Sequence, residues 1–229
     1  MVRKKKSTHD ELIDALIDKA LKHVVFDGWS DHTFRRVCRE LKINETEVRQ
    51  IFPRGSLDLA LAFHKRDDDQ FLANFAVSAD NKPNLRIRDR IESAINSRLE
   101  LAARNKEAVK RSMSLLTTPF YFSEGTKSLW NTADTIWTSI GDKSEDFNWY
   151  SKRLTLVSVY SATLVFWMED DSENFLETRG FIKRRIQDVM TIERLKSSIK
   201  GSLVWGNLLK RFNFSGVDVG KHKDSFPGW

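Results

Sequence analysis

Residues 141–168 read GDKSEDFNWYSKRLTLVSVYSATLVFWM, and this stretch decides the fold of the chain. It opens with a charged loop at residues 142–146, and Trp149 and Tyr150 follow at the entrance to a helix. From residues 154–168 the side chains are apolar on nearly every side, which predicts a helix buried all round. This run is shorter than the roughly 20 apolar residues of a membrane span, so it predicts the central helix of a soluble, all-helical core.

The composition agrees with a helical, soluble protein. Only 4 prolines and 10 glycines occur among 229 residues, so few positions break a helix. Cys38 is the single cysteine, which excludes an internal disulfide and indicates a reducing compartment. The net charge is +6, and the basic residues gather at both ends of the chain. Such ends either aid solubility or meet an anionic surface such as nucleic acid or lipid headgroups.

The first 60 residues carry a helix-turn-helix pattern. Apolar residues recur at helical spacing over 10–25 and 32–41, with a turn around Gly28 between the two runs. Asn44 and Glu47 have the spacing of a capping box and predict the start of a third helix. A short turn between the second and third helices predicts a helix-turn-helix, placed as in TetR-like transcription regulators.

The acidic residues of the third helix argue against DNA binding. Glu45 and Glu47 occupy its first turn, which in a recognition helix meets base edges and phosphates. Lys42 stands where the loop of TetR-like repressors usually has a glycine. Four arginines are either phosphate contacts or solvated charges: Arg35, Arg36, Arg39 and Arg49. We therefore expect no nucleic-acid partner.

The same periodicity predicts further helices at 56–75, 85–105, 107–116, 120–140 and 175–190. Two acidic runs, 65–69 and 169–174, are predicted to be solvated. Neither is expected to bind a metal, because consecutive helical positions point different ways and like charges on a loop are mostly solvated.

The aromatic residues of the middle of the chain have two interpretations. Trp130 and Trp137 are seven positions apart and share a helix face, and Trp167 adds to this aromatic surface from the central helix. The residues either form a tryptophan-rich core or line a cavity for an apolar ligand, since such pockets are lined by aromatic and aliphatic side chains.

The C-terminal segment at 191–213 is predicted to be an amphipathic helix. One apolar stripe ends near Gly201, and a second stripe on the opposite face begins near Gly206. A basic amphipathic helix of this kind predicts a membrane-surface anchor, and the alternative is packing on the domain or on a second subunit. The residues predicted to meet the membrane are Leu203, Trp205, Leu208, Leu209 and Phe212. The terminal segments 1–9 and 214–229 are predicted to be disordered.

No catalytic constellation is found in the sequence. The five histidines are scattered, without the paired spacing of a metal site, and no phosphate-binding glycine loop occurs. No serine has a plausible base near it in sequence. We therefore expect no enzyme activity, no cofactor and no metal.

Four segments carry a family resemblance: 103–116 (ARNKEAVKRSMSLL), 133–153 (ADTIWTSIGDKSEDFNWYSKR), 159–173 (VYSATLVFWMEDDSE) and 181–190 (FIKRRIQDVM). Together they resemble the ubiquinone-biosynthesis accessory family, the ninth factor of the coenzyme Q pathway. The resemblance runs from about residue 11 to residue 190.

The resemblance implies a TetR-like helical fold, with the helix-turn-helix at 10–55 and a larger lipid-binding domain at 56–190. It also implies a protein that binds isoprenoid quinone lipids and assists a di-iron demethoxyubiquinone hydroxylase. The expected location is the cytoplasmic face of a bacterial inner membrane, or the matrix side in a mitochondrion.

The resemblance also implies the site residues. Those expected to contact lipid are Trp130, Trp137, Leu156, Tyr160, Phe166 and Trp167. Those expected to contact the hydroxylase are Asp146, Trp149, Tyr150 and Arg153, beside a loop that is too polar to bury. The alternatives are a TetR-like regulator with a hydrophobic effector, or an interaction protein whose cavity is closed and empty. Monomer and homodimer both stay open.

Overall fold

The computed structural model describes residues 8–79 and 85–200, and every regular element in these two ranges is helical. The α-helices in the described ranges are α1 (Thr8–Asp27), α2 (Asp31–Glu40), α3 (Glu45–Ile51), α4 (Ser56–Ala79), α5 (Ile87–Ala103), α6 (Lys106–Leu116), α7 (Phe122–Ser139), α8 (Asp146–Met168) and α9 (Leu176–Lys200). A 3-10 turn, Glu173–Phe175, precedes α9. The predicted all-α fold is confirmed.

The turns of the helix-turn-helix follow from local chemistry. Gly28 ends α1 with a φ of 64°, and Ser30 caps α2 by accepting a hydrogen bond from the Thr33 amide at 3.2 Å. Lys42 has a φ of 56°, a conformation that a glycine adopts with less strain. Asn44 caps α3 as predicted, but its side chain accepts from the Thr46 amide at 2.9 Å, one residue earlier than the capping box requires.

The chain divides into two compact units. The first ends at Gly141 and the second begins at Asp142. In the first unit α4 contacts α1, α2, α5 and α7. The Trp29 ring lies 5.5 Å from the Phe63 ring in a tilted arrangement, and its indole donates a hydrogen bond to the Ala108 carbonyl at 3.0 Å. Trp29 thereby ties the turn after α1 to α4 and α6.

A buried ion cluster lies inside the first unit, where the sequence predicted a solvated acidic run. Asp67 and Asp68 of α4 are only 5% and 6% exposed, so that prediction is wrong for both. Arg98 of α5 donates to Asp68 at 2.7 Å and lies 3.5 Å from Asp67. The Thr132 hydroxyl of α7 also donates to Asp68, at 2.9 Å. Burial raises the pKa of Asp67, and the Arg98 guanidinium opposes that rise.

The second unit contains α8 and α9, and α8 is not buried on all sides. Leu154 and Val165 are 61% and 58% exposed, so the prediction of a helix buried all round is wrong. The face of α8 that packs on α9 brings the Phe166 ring to 4.5 Å from the Phe181 ring, in a stacked arrangement. Because Leu154 and Val165 are eleven positions apart, they lie along one side of α8, and that side is open.

Asp170 is buried at the turn before α9, in the second acidic run that was predicted to be solvated. Its carboxylate accepts hydrogen bonds from the Ser172 and Thr178 amides, each at 2.8 Å, and from the Thr178 hydroxyl at 2.5 Å. Burial opposes ionisation, but the hydrogen bonds from Ser172 and Thr178 lower the pKa of Asp170 to about 2. This carboxylate is therefore a structural cap.

The C-terminal part of the chain is described only as far as Lys200. α9 continues past residue 190, where the sequence had predicted the end of a helix, up to Lys200. The residues predicted to meet the membrane lie outside the described residues: Leu203, Trp205, Leu208, Leu209 and Phe212. Within the described ranges no helix combines the length and apolarity that crossing a bilayer requires.

The buried cluster gives a test of what holds the first unit together. Arg98→Ala leaves two buried carboxylates without their cation, and we expect it to lower the free energy of unfolding by about 3–5 kcal/mol. Arg111→Ala is the matched control, because Arg111 bonds Glu107 at 2.9 Å on an exposed surface. We expect the control to cost about 1 kcal/mol or less. Urea unfolding at pH 7 compares the two variants. Equal losses in the free energy of unfolding would show that Arg98 stabilises the fold no more than an exposed arginine does.

Candidate functional site

Arg153 and Trp149 form the centre of a charged and aromatic cluster in the first turns of α8. The Arg153 guanidinium lies 4.0 Å from the centroid of the Trp149 ring and donates to the Trp149 carbonyl at 3.2 Å. Only 3% of Arg153 is exposed. A guanidinium over an indole is attracted to the negative face of the ring. This contact with Arg153 fixes the position of the Trp149 ring.

Asp142 anchors this cluster, and sequence reasoning missed it. Its side chain is 5% exposed and accepts from Lys152 at 2.8 Å, from the Ser144 hydroxyl at 2.7 Å and from Arg153 at 3.3 Å. Although burial opposes ionisation, the hydrogen bonds from Lys152 and Ser144 hold the pKa of Asp142 below its usual range. The prediction that this loop is too polar to bury is therefore wrong at Asp142.

Three of the four residues predicted to bind the hydroxylase come together here. Trp149 and Tyr150 are both half-buried, and their rings meet edge to face at 4.8 Å. Arg153 lies beneath Trp149. Asp146 begins α8, and its side chain is outside the described residues. Aromatic residues beside an arginine are the composition of binding hot spots, so the cluster suits recognition of a protein surface.

The residues predicted to contact lipid are mostly buried. Trp137 of α7 is 8% exposed, and Trp130 of the same helix is half-buried. On α8, Leu156 and Tyr160 are each 3% exposed and Trp167 is fully buried, while Phe166 is half-buried. Burial suits either a packed core or the wall of a cavity, so lipid contact by these residues stays a prediction.

A groove of 410 Å³ runs between α8 and α9 in the second unit. Its lining combines small, aliphatic and charged side chains: Thr155, Ser158, Val159, Ala162, Arg185, Asp188, Val189 and Ile192. The residues predicted to contact lipid do not line it, since Leu156 and Tyr160 lie on another side of α8. Sequence reasoning missed this groove because the α8 residues that line it form no recognisable pattern. They are the polar Thr155 and Ser158, the aliphatic Val159 and the small Ala162.

One histidine and one serine that are far apart in sequence meet inside the first unit. His64 Nε2 lies 2.7 Å from the Ser112 hydroxyl, which the sequence could not show. The Ser112 hydroxyl also lies 2.8 Å from the Val109 carbonyl, which accepts a hydrogen bond from it. Burial, aided by Arg98, lowers the pKa of His64 to about 3. The bond between this neutral imidazole and Ser112 joins α4 to α6.

The potential metal ligands do not form a metal-binding site in the part of the chain that the structure describes. No group of three or more histidine, cysteine, aspartate or glutamate side chains converges there. Cys38 is 3% exposed, and burial raises the pKa of its thiol. A buried, protonated thiol is unreactive.

Three of the four arginines considered as phosphate contacts are paired with carboxylates: Arg35, Arg36 and Arg49. Arg35 and Arg49 both contact Asp31, at 2.8 and 2.7 Å, and Arg49 also contacts Glu45 at 2.9 Å. Arg36 is paired within its own helix. Cations that already hold carboxylates have less charge to offer a phosphate backbone.

Comparison with known proteins connects these features to a family. The COQ9 family model matches residues 122–193, which covers α7, α8 and most of α9. The ubiquinone biosynthesis protein COQ9, mitochondrial, of Bos taurus is 25% identical over 204 residues, 85% of this chain and 62% of that protein. The Schizosaccharomyces pombe protein is 28% identical over 196 residues, 84% of this chain and 74% of that protein. The chain thus spans about 62% of the length of the first of these relatives. The resemblance predicted from the sequence is confirmed.

A solved structure shares the fold. The crystal structure of the TetR transcriptional regulator from Nitrosomonas europaea ATCC 19718 matches with a TM-score of 0.61 and 25% sequence identity. The match covers 78% of this chain and 97% of that chain. The predicted TetR-like helical fold is confirmed.

Because the fold is shared with a regulator, DNA binding needs a direct test. We expect the chain to show no DNA binding at physiological salt, since Asp31 and Glu45 occupy its arginines. The double variant Asp31→Ser with Glu45→Gln frees Arg35 and Arg49, and we expect it to gain weak affinity that falls as salt rises. Fluorescence anisotropy with duplex DNA, between about 50 and 200 mM salt, measures both.

The matched control for this experiment is Glu107→Gln, which frees Arg111 on α6, outside the helix-turn-helix. This control also makes the net charge more positive, but it leaves the helix-turn-helix unaltered. Sequence-specific binding by the unaltered chain would show that the acidic residues do not block the interaction.

Proposed function

We propose that this chain is a non-catalytic accessory protein of ubiquinone biosynthesis. In this proposal it binds an isoprenoid quinone intermediate and presents the ring to a di-iron demethoxyubiquinone hydroxylase at the membrane surface. The COQ9 homologues support a role in ubiquinone biosynthesis. The observation that carries the partner step is the Trp149 ring, half-buried and fixed by Arg153.

The lipid step of the proposal rests on a physical problem. The polyprenyl tail of a quinone intermediate holds it in the bilayer, so bringing the ring to a partner enzyme requires covering apolar surface. Each Å² of apolar surface that a protein covers contributes about 25 cal/mol, which favours an aromatic and aliphatic sleeve. The residues that we propose for lipid contact are Trp130 and Trp137 in the first unit and Leu156, Tyr160, Phe166 and Trp167 in the second unit.

The membrane step of the proposal concerns the C-terminal segment. We assign it to Leu203, Trp205, Leu208, Leu209 and Phe212, because their spacing is that of an amphipathic helix rich in basic residues. A location on the cytoplasmic face of a bacterial inner membrane, or on the matrix side in a mitochondrion, belongs to the same proposal.

Lipid binding is tested by what the purified chain carries. We expect organic extraction followed by mass spectrometry to recover an isoprenoid quinone. We also expect Leu156→Trp to lower the recovered lipid with little loss of stability, because a cavity accommodates the larger ring. The matched control is Leu59→Trp on α4, a fully buried leucine outside the proposed sleeve. Overpacking there costs about 1–3 kcal/mol and leaves the lipid content unchanged.

Two results would contradict the lipid proposal. One is an extract without isoprenoid lipid, together with no change in tryptophan fluorescence on titration with ubiquinone analogues. The other is a Leu156→Trp variant that is destabilised as much as Leu59→Trp while its lipid content is unchanged, since Leu156 would then belong to a closed core.

The hydroxylase contact is tested at Trp149. We expect Trp149→Ala to weaken binding to the hydroxylase by about 2 kcal/mol or more, the scale of a hot spot. Its cost to folding should be about 1 kcal/mol, because the half-buried ring loses its contact with Arg153 and little packing. Immobilised hydroxylase measures the binding, and urea unfolding measures the stability.

Phe181→Ala is the matched control for Trp149→Ala. Phe181 is also half-buried, and the Arg185 guanidinium lies 5.2 Å from its ring centroid. The control therefore removes a similar aromatic–guanidinium contact in the same unit without altering the proposed contact surface. If Trp149→Ala is strongly destabilised yet the folded fraction binds the enzyme normally, Trp149 is a core residue and the partner assignment fails.

A further inference from the structure

The turn between α6 and α7, residues 117–122 and called the tip below, exposes aromatic side chains to solvent. Phe120 is 87% exposed and Phe122 is 63% exposed, and Pro119 is exposed beside them. They are the most exposed apolar side chains of the tip, and neither the Trp149 cluster nor the proposed lipid sleeve uses them. Adjacent exposed aromatics are unusual enough to indicate an interaction surface.

Both threonines of the tip are bonded inside the protein. The hydroxyls of Thr117 and Thr118 donate to the Met113 and Leu115 carbonyls, each at 2.8 Å. The backbone amides of the same two threonines bond to those carbonyls as well, and the Tyr121 amide bonds to the Thr118 carbonyl at 3.1 Å. Groups that are already bonded within the protein lose little when water is replaced by a medium that offers no partners.

A close approach of the two helices supports the tip from below. A Cβ atom at Gly125 would lie 2.7 Å from the Leu116 carbonyl oxygen, so only glycine lets α7 approach α6 this closely. The Gly125 amide bonds to the Tyr121 carbonyl at 3.0 Å. The aromatic side chains are thus presented on a rigid hairpin of helices.

The charges around the tip are arranged with cations set back from it. Lys127 lies about 8 Å behind Phe122 along α7, and Lys110 lies about 9 Å before the end of α6, at 1.5 Å per residue. Neither lysine makes an ion pair within the described ranges. The neighbouring carboxylates, Glu107 and Glu124, are each bonded to an arginine, at 2.9 and 2.8 Å. Arg54 also bonds Asp58 at 2.6 Å, so the group formed by Arg54, Asp58 and Glu124 has one net negative charge. With the two lysines counted, the charge around the tip is positive by one.

We propose that the tip is a membrane contact, in which Phe120 and Phe122 enter the interface of an anionic bilayer and Lys110 and Lys127 meet its headgroups. Apolar side chains at the front, flexible cations behind and internally bonded polar groups together match an interfacial membrane site. The contact is separate from quinone carriage and from the C-terminal segment.

A fluorescent label at the tip tests the proposal on the full chain. Cys38 is the only cysteine and is 3% exposed, so Phe120→Cys can be labelled selectively in the folded protein with an environment-sensitive NBD group. With phosphatidylcholine–phosphatidylglycerol vesicles we expect its emission to shift to the blue, and with phosphatidylcholine alone to shift less. Phe26→Cys is the matched control, because Phe26 is 82% exposed at the end of α1, next to Asp27. Its label should not respond.

Vesicle flotation measures the energetic contribution of the tip. We expect Phe120→Ser with Phe122→Ser to lower the partition constant about tenfold, and Lys110→Gln with Lys127→Gln to lower it for anionic vesicles only. Phe26→Ser should leave it unchanged, and all of these exposed variants should melt like the unaltered chain. Repeating the flotation with a chain that ends at Lys200 should preserve the effect of the tip variants.

Three results would overturn the proposal. One is a label at position 120 that stays unchanged while the chain floats with the vesicles. Another is an equal response at position 26, which would indicate non-specific adsorption. The third is a response at position 120 that depends on protein concentration without vesicles, which would assign the tip to self-association.

Discussion

The burial of a guanidinium is the constraint on which the first unit depends. Arg98 is 2% exposed, and a charge so far from water is tolerated only when its partners surround it. Those partners lie on other helices than Arg98. Asp67 and Asp68 are on α4, and Thr132 of α7 bonds the Asp68 carboxylate, which Arg98 also bonds. Because hydrogen bonds are short and directional, this cluster fixes the register of α4, α5 and α7 more sharply than apolar packing alone.

The same principle operates at the start of α8, where its effect reaches the surface. Buried Asp142 holds Arg153, and Arg153 holds the Trp149 ring. An aromatic side chain whose position is set before binding loses little conformational freedom when a partner arrives, so more of the contact energy remains as affinity. In the proposed recognition surface, the residue that organises the Trp149 cluster is Asp142, whose side chain is buried beneath it.

The helix-turn-helix illustrates why a fold does not fix a function. Its helices and turns match those of a TetR regulator, and the match extends over 97% of that chain. Its chemistry differs, because Asp31 and Glu45 occupy Arg35 and Arg49 through ion pairs within the protein. The helices are still arranged so that their arginines could reach phosphates. The carboxylates beside these arginines reduce the positive charge that is available for binding DNA. A role in ubiquinone biosynthesis is compatible with such a scaffold.

The sequence by itself determined the helices, the turn at Gly28, the cap at Asn44 and the family resemblance, because these depend on residues that are neighbours along the chain. Only the tertiary structure decided that Asp67 is buried and that Leu154 on α8 is open to solvent. It alone joined His64 to Ser112 and Asp142 to Arg153. The physical reason is that helical periodicity reports which side chains share a face. Whether that face meets water, a carboxylate or another helix depends on elements that are remote in sequence.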